Sequence, residues 1–272
     1  MYQIDSTMSD LQIQYSSEIA NELGKIAVYL PGENIQVGDI IKFPNAKSRL
    51  FRKKLPFGAF QKITSLEKLG VNFDMPKSSG SPDSYRFSSK NKVNLEFGLK
   101  SNASLGNDAL PSTENDLQIQ FSSEGAIFFL AIDCDKQELD DLLFLEKEIN
   151  SKGKQLVWDD TYLVTSVTIA KKAFIAQSKS KSSEILLKTN VNGIKSSQID
   201  VSINSNLKIS KSSGDLFIKD WSDNVTVFMD LVKFEKKIFQ KSIEQTRGTF
   251  SDQNQSKLIA KKINIQELLN NK

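Results

Sequence analysis

Three pairs of neighbouring carboxylates are the residues best suited to chemistry in this chain: Asp133 with Asp135, Asp140 with Asp141, and Asp159 with Asp160. Paired carboxylates can divide acid and base roles in glycoside hydrolysis, or hold a hard cation through oxygen. Each pair also has a plain structural explanation. Asp140 and Asp141 stand in the first turns of a helix read from Asp135-Lys136-Gln137-Glu138, a capping-box pattern, through Leu139, Leu142, Leu143 and Ile149 to Gly153. Acidic groups there complement the helix dipole. Asp159 and Asp160 stand where a loop enters a strand. Cys134 is the single cysteine and lies between two aspartates, whose charge raises a thiol pKa and disfavours the reactive thiolate.

The chain has no histidine, which removes Ser-His-Asp and Cys-His catalysis and every histidine metal site. One cysteine excludes an internal disulfide and a thiolate zinc site. Walker A, GxGxxG, GxSxG and HExxH patterns are absent from the sequence. The expectation is a non-enzyme with no catalytic residue, no cofactor and no metal.

The 272 residues carry 36 basic and 33 acidic side chains, a net charge of +3. That balance lacks the basic excess of a nucleic-acid binder, so no nucleic-acid partner is expected. With 39% apolar and 25% charged residues, the composition is that of an ordinary globular protein. No run approaches the ~20 apolar residues of a membrane-spanning helix. The first residues lack the charged and apolar regions of a signal peptide, which reads as cytoplasmic.

Strand periodicity dominates the elements. Val93, Leu95, Phe97 and Leu99 alternate with polar residues, as do Leu117, Ile119 and Phe121, and again Ile199, Val201, Ile203, Leu207 and Ile209. This pattern places one face on a core and the other in water, as antiparallel sheets do. Further strands are expected at 84–87, 162–176 and 184–191, and the run 126–132 suits a strand buried on both faces. Residues 231–243 fit a strand or a helix. A short helix is expected at 17–23 and a C-terminal helix at 255–269, with Leu258, Ile259, Ile263 and Leu269 on one stripe. Residues 75–83, 101–116 and 244–255 read as loops. The fold class is therefore α+β and β-rich: a twisted antiparallel sheet flanked by a few helices, closed by a C-terminal helix. One short echo, LQIQYSSE at 11–18 and LQIQFSSE at 117–124, reads as two strands of similar pattern.

The densest basic cluster is 47–54, where Arg49, Arg52, Lys53 and Lys54 interleave with Leu50 and Phe51. With Lys171 and Lys172 it forms the candidate contact with anionic lipid, at roughly 1 kcal/mol per cation near such a leaflet. Alternating apolar and small polar residues suit a soluble sheet. They equally suit the wall of a transmembrane β-barrel, where closure satisfies every backbone group.

Several segments together resemble the pore-forming domain of gasdermins. The stretch 151–167, ending in Tyr162-Leu163-Val164-Thr165-Ser166-Val167, is similar to that family's helix, polar turn and following strand. The Lys171-Lys172 bend and the serine-rich strands after it are similar to its second insertion hairpin. Residues 224–232 and 60–69 resemble two further segments, and the order agrees over about 60–240.

The resemblance implies a compact, bacterial-type member with a pore-forming body at 1–243 and a polar linker and inhibitory tail at 244–272. The first membrane-inserting hairpin would be 90–103 with 116–133, carrying Val93, Leu95, Phe97, Leu117, Ile119 and Phe121. The second would be 162–178 with 184–209, carrying Val167, Ile169, Ile199, Val201 and Ile203. Leu258, Ile259, Ile263 and Leu269 would form the lock, and Arg247-Gly248 the cleavage region. The implied partners are anionic membrane lipids, further copies of the chain and an activating protease. The implied activity is membrane permeabilisation in cell death or antiviral defence, cytoplasmic at rest and membrane-bound when active. Two features depart from the family: residues 1–133 hold no cysteine for lipidation, and the N-terminal segment is not basic. The alternative from the residues alone is a non-catalytic β-rich binding or structural module, such as part of a phage or secretion apparatus.

Overall fold

The computed structural model describes residues 6–29, 34–44, 57–99, 115–152, 160–189, 207–237 and 257–265. Among these are two helices and thirteen strands, and the strands form two antiparallel sheets. The β-rich α+β class expected from the sequence is what the chain adopts.

The larger sheet is built around three long strands: β8 (Ile127–Glu138), β9 (Tyr162–Ser178) and β12 (Leu216–Lys237). One edge of β9 pairs with β12 and the other with β8. At its start, β9 also pairs with β2 (Asp39–Lys42), which carries β3 (Gln61–Ser65). On the outer edge of β8 lie β4 (Lys77–Ser78) and β5 (Asp83–Ser88). The outer edge of β12 is shared by β1 (Ile26–Ala27) and β13 (Lys257–Lys262). The run 127–132 is buried on both faces, as its unbroken apolar sequence requires.

The smaller sheet has the order β11-β10-β7-β6 and consists of two hairpins. One is β6 (Val93–Leu99) with β7 (Asn115–Phe121), and the other is β10 (Ser183–Thr189) with β11 (Leu207–Ser213).

Helix α1 (Ser6–Leu23) crosses the larger sheet with Tyr15, Ile19 and Ala20 buried, a stripe of helical spacing. Helix α2 (Leu142–Ser151) begins where the Asp141 side chain accepts the Phe144 N–H at 2.8 Å. Among the described residues, no helix is long and apolar enough to cross a membrane.

Four expectations are corrected. The helix read from Asp135 starts later, because 135–138 continue β8 in register with β9 and β4. Those ladder bonds outweigh a capping signature that has only local support. The short helix at 17–23 begins at Ser6. The loop at 75–83 contains β4, whose Ser78 hydroxyl donates to Asp135 at 2.7 Å. Among the described residues of the C-terminal segment, Lys257–Lys262 are strand and Ile265 is helical. The outer edge of β12 offers unpaired backbone groups there, and the tail satisfies them. Residues 231–237 are strand, the end of β12.

Candidate functional site

The arrangement with most functional content is the junction between the two sheets. Strands β5, β8, β9 and β12 lie side by side in the larger sheet, and β6, β7, β10 and β11 lie in the matching order in the smaller one. Short corners at 89–92, 122–126, 179–182 and 214–215 join them one to one. The smaller sheet is thus the continuation of four body strands, folded back at a crease.

The corners hydrogen-bond to one another along that crease. Ser89 N–H donates to Ile127 O at 3.0 Å, Ser122 N–H to Lys92 O at 2.9 Å, Gly125 N–H to Ser178 O at 2.7 Å and Lys179 N–H to Asp215 O at 2.8 Å. Serine hydroxyls close the far half: Ser178 Oγ meets Ser183 Oγ at 2.9 Å, and Ser180 Oγ meets Ser183 Oγ at 2.9 Å. Gly125 and Gly214 sit in these corners at φ of 79° and 82°, the left-handed region that side chains resist.

Folding at the crease brings two apolar faces together. Leu117, Ile119, Phe121, Ile185 and Leu187 from the smaller sheet are buried against Phe128, Leu130, Phe174 and Ala176 of β8 and β9. At about 1.5–3 kcal/mol per buried side chain, the five residues of the smaller sheet hold it down by roughly 10 kcal/mol in water. Their neighbours Gln118, Gln120, Asn94 and Glu96 point away, and Asn94 Nδ2 reaches Gln120 Oε1 at 3.3 Å on that outer face.

Helix α1 straps the crease. Glu18 accepts a hydrogen bond from the Ser89 hydroxyl and one from Gln14 Nε2 at 3.0 Å, and pairs with Lys92 at 3.6 Å. Glu22 pairs with Lys90 at 3.0 Å. Buried Gln177, near the end of β9, donates to Leu11 O at 3.0 Å. Residues 6–23 hold Asp10, Glu18 and Glu22 and no Lys or Arg, so the helix grips lysines of the corner and has no cation to offer a lipid.

The tail is held at a second place. Asn150 of α2 donates from Nδ2 to Leu258 O at 2.9 Å and accepts the Leu258 N–H at 2.8 Å. Leu258 and Ala260 pack with Leu145, Ile149 and Phe234, and Ile265 is buried beside Ile41 and Met229.

The residues selected from the sequence fall into five groups. Val93, Leu95, Leu117, Ile119 and Phe121 share the folded-in face of the first hairpin, and Phe97 stands opposite Leu117 in the same ladder. Val167 and Ile169 lie elsewhere, in the middle of β9, packed in the body. The hairpin pairing read as 162–178 with 184–209 is replaced by β10 with β11, because both edges of β9 are already taken. Likewise 127–133 belongs to β8 in the body and not to the first hairpin. Lys171 pairs with Asp133 at 2.5 Å, and Lys172 is half-buried. Leu258, Ile259 and Ile263 are half-buried in the tail. Arg49, Arg52, Lys53, Lys54, Ile199, Val201, Ile203, Arg247, Gly248 and Leu269 lie outside the described residues.

Four of the six carboxylates considered for chemistry have structural partners described below, and Asp159 lies outside the described residues. Asp133 holds Lys171, Asp135 accepts from Ser78, Asp140 pairs with Lys77 and Asp141 caps α2. Among the described residues, no three His, Cys, Asp or Glu side chains converge as a metal set. Burial pushes the Cys134 thiol up to about 12, with Asp83 and Asp133 adding to the shift. Neighbouring charge was the cause expected from the sequence; desolvation is the larger one.

Sequence reasoning missed Glu18, Ser89, Ser178, Ser183, Gly214 and Asn150. The serine-glycine corners were visible as turn chemistry, but nothing local shows that four corners align.

No family model matches the sequence, and no curated protein matches it. Among solved structures, the chain is similar to the cryo-EM structure of the gasdermin A3 membrane pore. That alignment covers 92% of this chain and 98% of the other, at 11% identity and a TM-score of 0.33.

Proposed function

We propose that this protein permeabilises membranes: the two hairpins swing out about the crease, and neighbouring copies join them into a β-barrel. The observation that carries the reading is the one-to-one continuation of four body strands into a sheet that folds its apolar face inward. Straightening the corners would turn each pair of strands into one long strand. The face that now covers Phe128 and Phe174 would then meet lipid, which supplies apolar surroundings that water does not. The outer face of Gln118, Gln120, Asn94 and Glu96 would line water, the alternation a barrel wall requires. Each hairpin, 93–121 and 183–213, holds enough chain for two strands of the roughly 9–11 residues that cross a bilayer, with a turn between them.

In this reading the resting protein is cytoplasmic. The straps at α1 and β13 hold the fold shut, and cutting near Arg247 or displacing the tail releases it. Basic residues then bring the body to anionic lipid, and pairing between copies satisfies the hairpin edges, which in hydrocarbon cannot be left open. The biological outcome proposed is death of the cell that makes the protein, as a defence.

Dye release from anionic liposomes tests this, using the full chain and a form ending at Arg247. Release by the shortened form alone supports a locked pore-former. Release by both keeps the pore and discards the lock. Release by neither, with both proteins folded, favours the static binding or structural module.

A further inference from the structure

The resident tail is poorly matched in charge to the slot that holds it. The antiparallel register sets Lys261 of β13 directly opposite Lys233 of β12. Like charges directly opposite in a ladder are unfavourable. Neither Lys233 nor Lys261 forms an ion pair with a described carboxylate; Lys233 rests instead about 6.0 Å from the centre of the Tyr162 ring. Glu235 is opposite Ile259, diagonal to Lys261 and therefore farther from it than the facing Lys233.

The slot grips its occupant through groups that any peptide possesses. On one side the β12 edge pairs with backbone from 257 to 262. On the other, the Asn150 amide both donates to and accepts from the backbone of residue 258. The side-chain demands are modest: a leucine and an alanine pack toward Phe234, Leu145 and Ile149. A slot that reads backbone and two apolar positions, and that sets Lys233 directly against a lysine, favours a different strand from the one it holds.

We propose that the slot between the outer edge of β12 and Asn150 binds an extended acidic peptide segment of another protein, with a carboxylate facing Lys233, and that this segment displaces β13. This is strand addition at a sheet edge, with main-chain bonds giving affinity and facing side chains giving selectivity. It rests on the reading of the tail as a displaceable lock, and supplies a non-proteolytic way to open it.

The test uses the full chain and hydrogen–deuterium exchange of amides 258–262. A synthetic copy of residues 257–265 is compared with the same peptide carrying Lys261→Glu. The tethered tail competes at a roughly millimolar effective concentration, so peptides are titrated through that range. The acidic copy is expected to accelerate exchange at about threefold lower concentration than the native copy, from one pair turned from repulsive to attractive. Raised salt should narrow the gap, and Asn150→Ala, which loosens the resident tail and either copy alike, should leave the ratio between the copies unchanged. In cis, Lys261→Glu in the full chain should slow exchange of the same amides several-fold.

Equal potency of the two copies, no peptide effect on a folded chain, or faster exchange in the Lys261→Glu variant would overturn the proposal. No membrane is present, so such a failure leaves the pore reading standing. Displacement without any dye release would do the reverse.

Discussion

Gly214→Ala separates a hinge from an ordinary structural corner, because the two accounts give its effects on stability and on activity different relations. Gly214 holds φ at 82°, and a Cβ there would lie 2.6 Å from Ser182 O, 2.6 Å from Ser183 Oγ and 2.9 Å from Ser183 Cα. The left-handed backbone alone costs an L-residue about 1–2 kcal/mol. The contact with backbone oxygen cannot be relieved by a rotamer change, so overpacking adds about 1 kcal/mol or more. The folded corner therefore loses at least about 2 kcal/mol. In a straightened strand, residue 214 takes an extended φ and alanine carries no penalty. The balance between closed and straightened forms shifts by roughly 30-fold, at 1.36 kcal/mol per factor of ten. The assay pairs thermal unfolding with the rate of dye release from anionic liposomes. The expected result is a lower Tm with faster release. A lower Tm with unchanged or slower release would refute the hinge, and an unchanged Tm would refute the corner geometry. Gly125→Ala is the milder comparison, since its Cβ would meet the movable end of the Gln14 side chain at 1.9 Å.

Other outcomes follow from the same geometry. Glu18→Gln keeps the shape of the strap but removes its charge, weakening the Lys92 pair and the bond from Ser89. About 1–2 kcal/mol of the clamp should be lost, read as faster amide exchange in 89–92. Asp141→Ala removes the α2 cap and should cost about 1 kcal/mol, measured by denaturant unfolding. The folded-state pKa values of Cys134 and Tyr29 are both raised to about 12, chiefly by burial. Stability from keeping those protons is full below the unfolded values of about 8.5 and 10, and is lost as pH rises toward 12. The folded protein should therefore leave Cys134 unmodified by a thiol reagent at pH 8, and Cys134→Ala should flatten the alkaline part of a Tm-against-pH curve.

The strands β6, β7 and β10 were legible in the sequence, because β7 and β10 each bury one face on a single packed layer. The two copies of LQIQ[YF]SSE show where local pattern stops. In 117–121 the buried residues are Leu117, Ile119 and Phe121, spaced by two. In the first copy, Leu11 and Tyr15 are buried, and Ile19 extends the spacing of four into the next turn. The same letters make a strand and a helix, decided by residues beyond the repeat and by what each segment packs against. The tail was misread for a related reason. Leu258, Ile259, Ile263 and Leu269 satisfy a helical stripe, but the backbone of 257–262 has an open strand edge to pair with, 20 or more residues away in sequence. The crease was invisible in the sequence, because it exists only when four corners from 89 to 215 meet. Asn150 likewise reads as an ordinary helix C-terminal residue until Leu258 is placed beside it.

The central claim is that the smaller sheet unfolds at the crease into a bilayer, and lipid-borne spin-label quenching tests it most directly. Fluorophores are attached singly at positions 94, 95 and 96 of β6, in a Cys134→Ala chain mixed with anionic liposomes under conditions that give dye release. Asn94 and Glu96 are exposed and Leu95 is half-buried against the body in the resting fold. The account predicts that lipid spin labels quench the probe at 95 and spare those at 94 and 96. Equal quenching at all three positions, or none at any while dye is released, would contradict it.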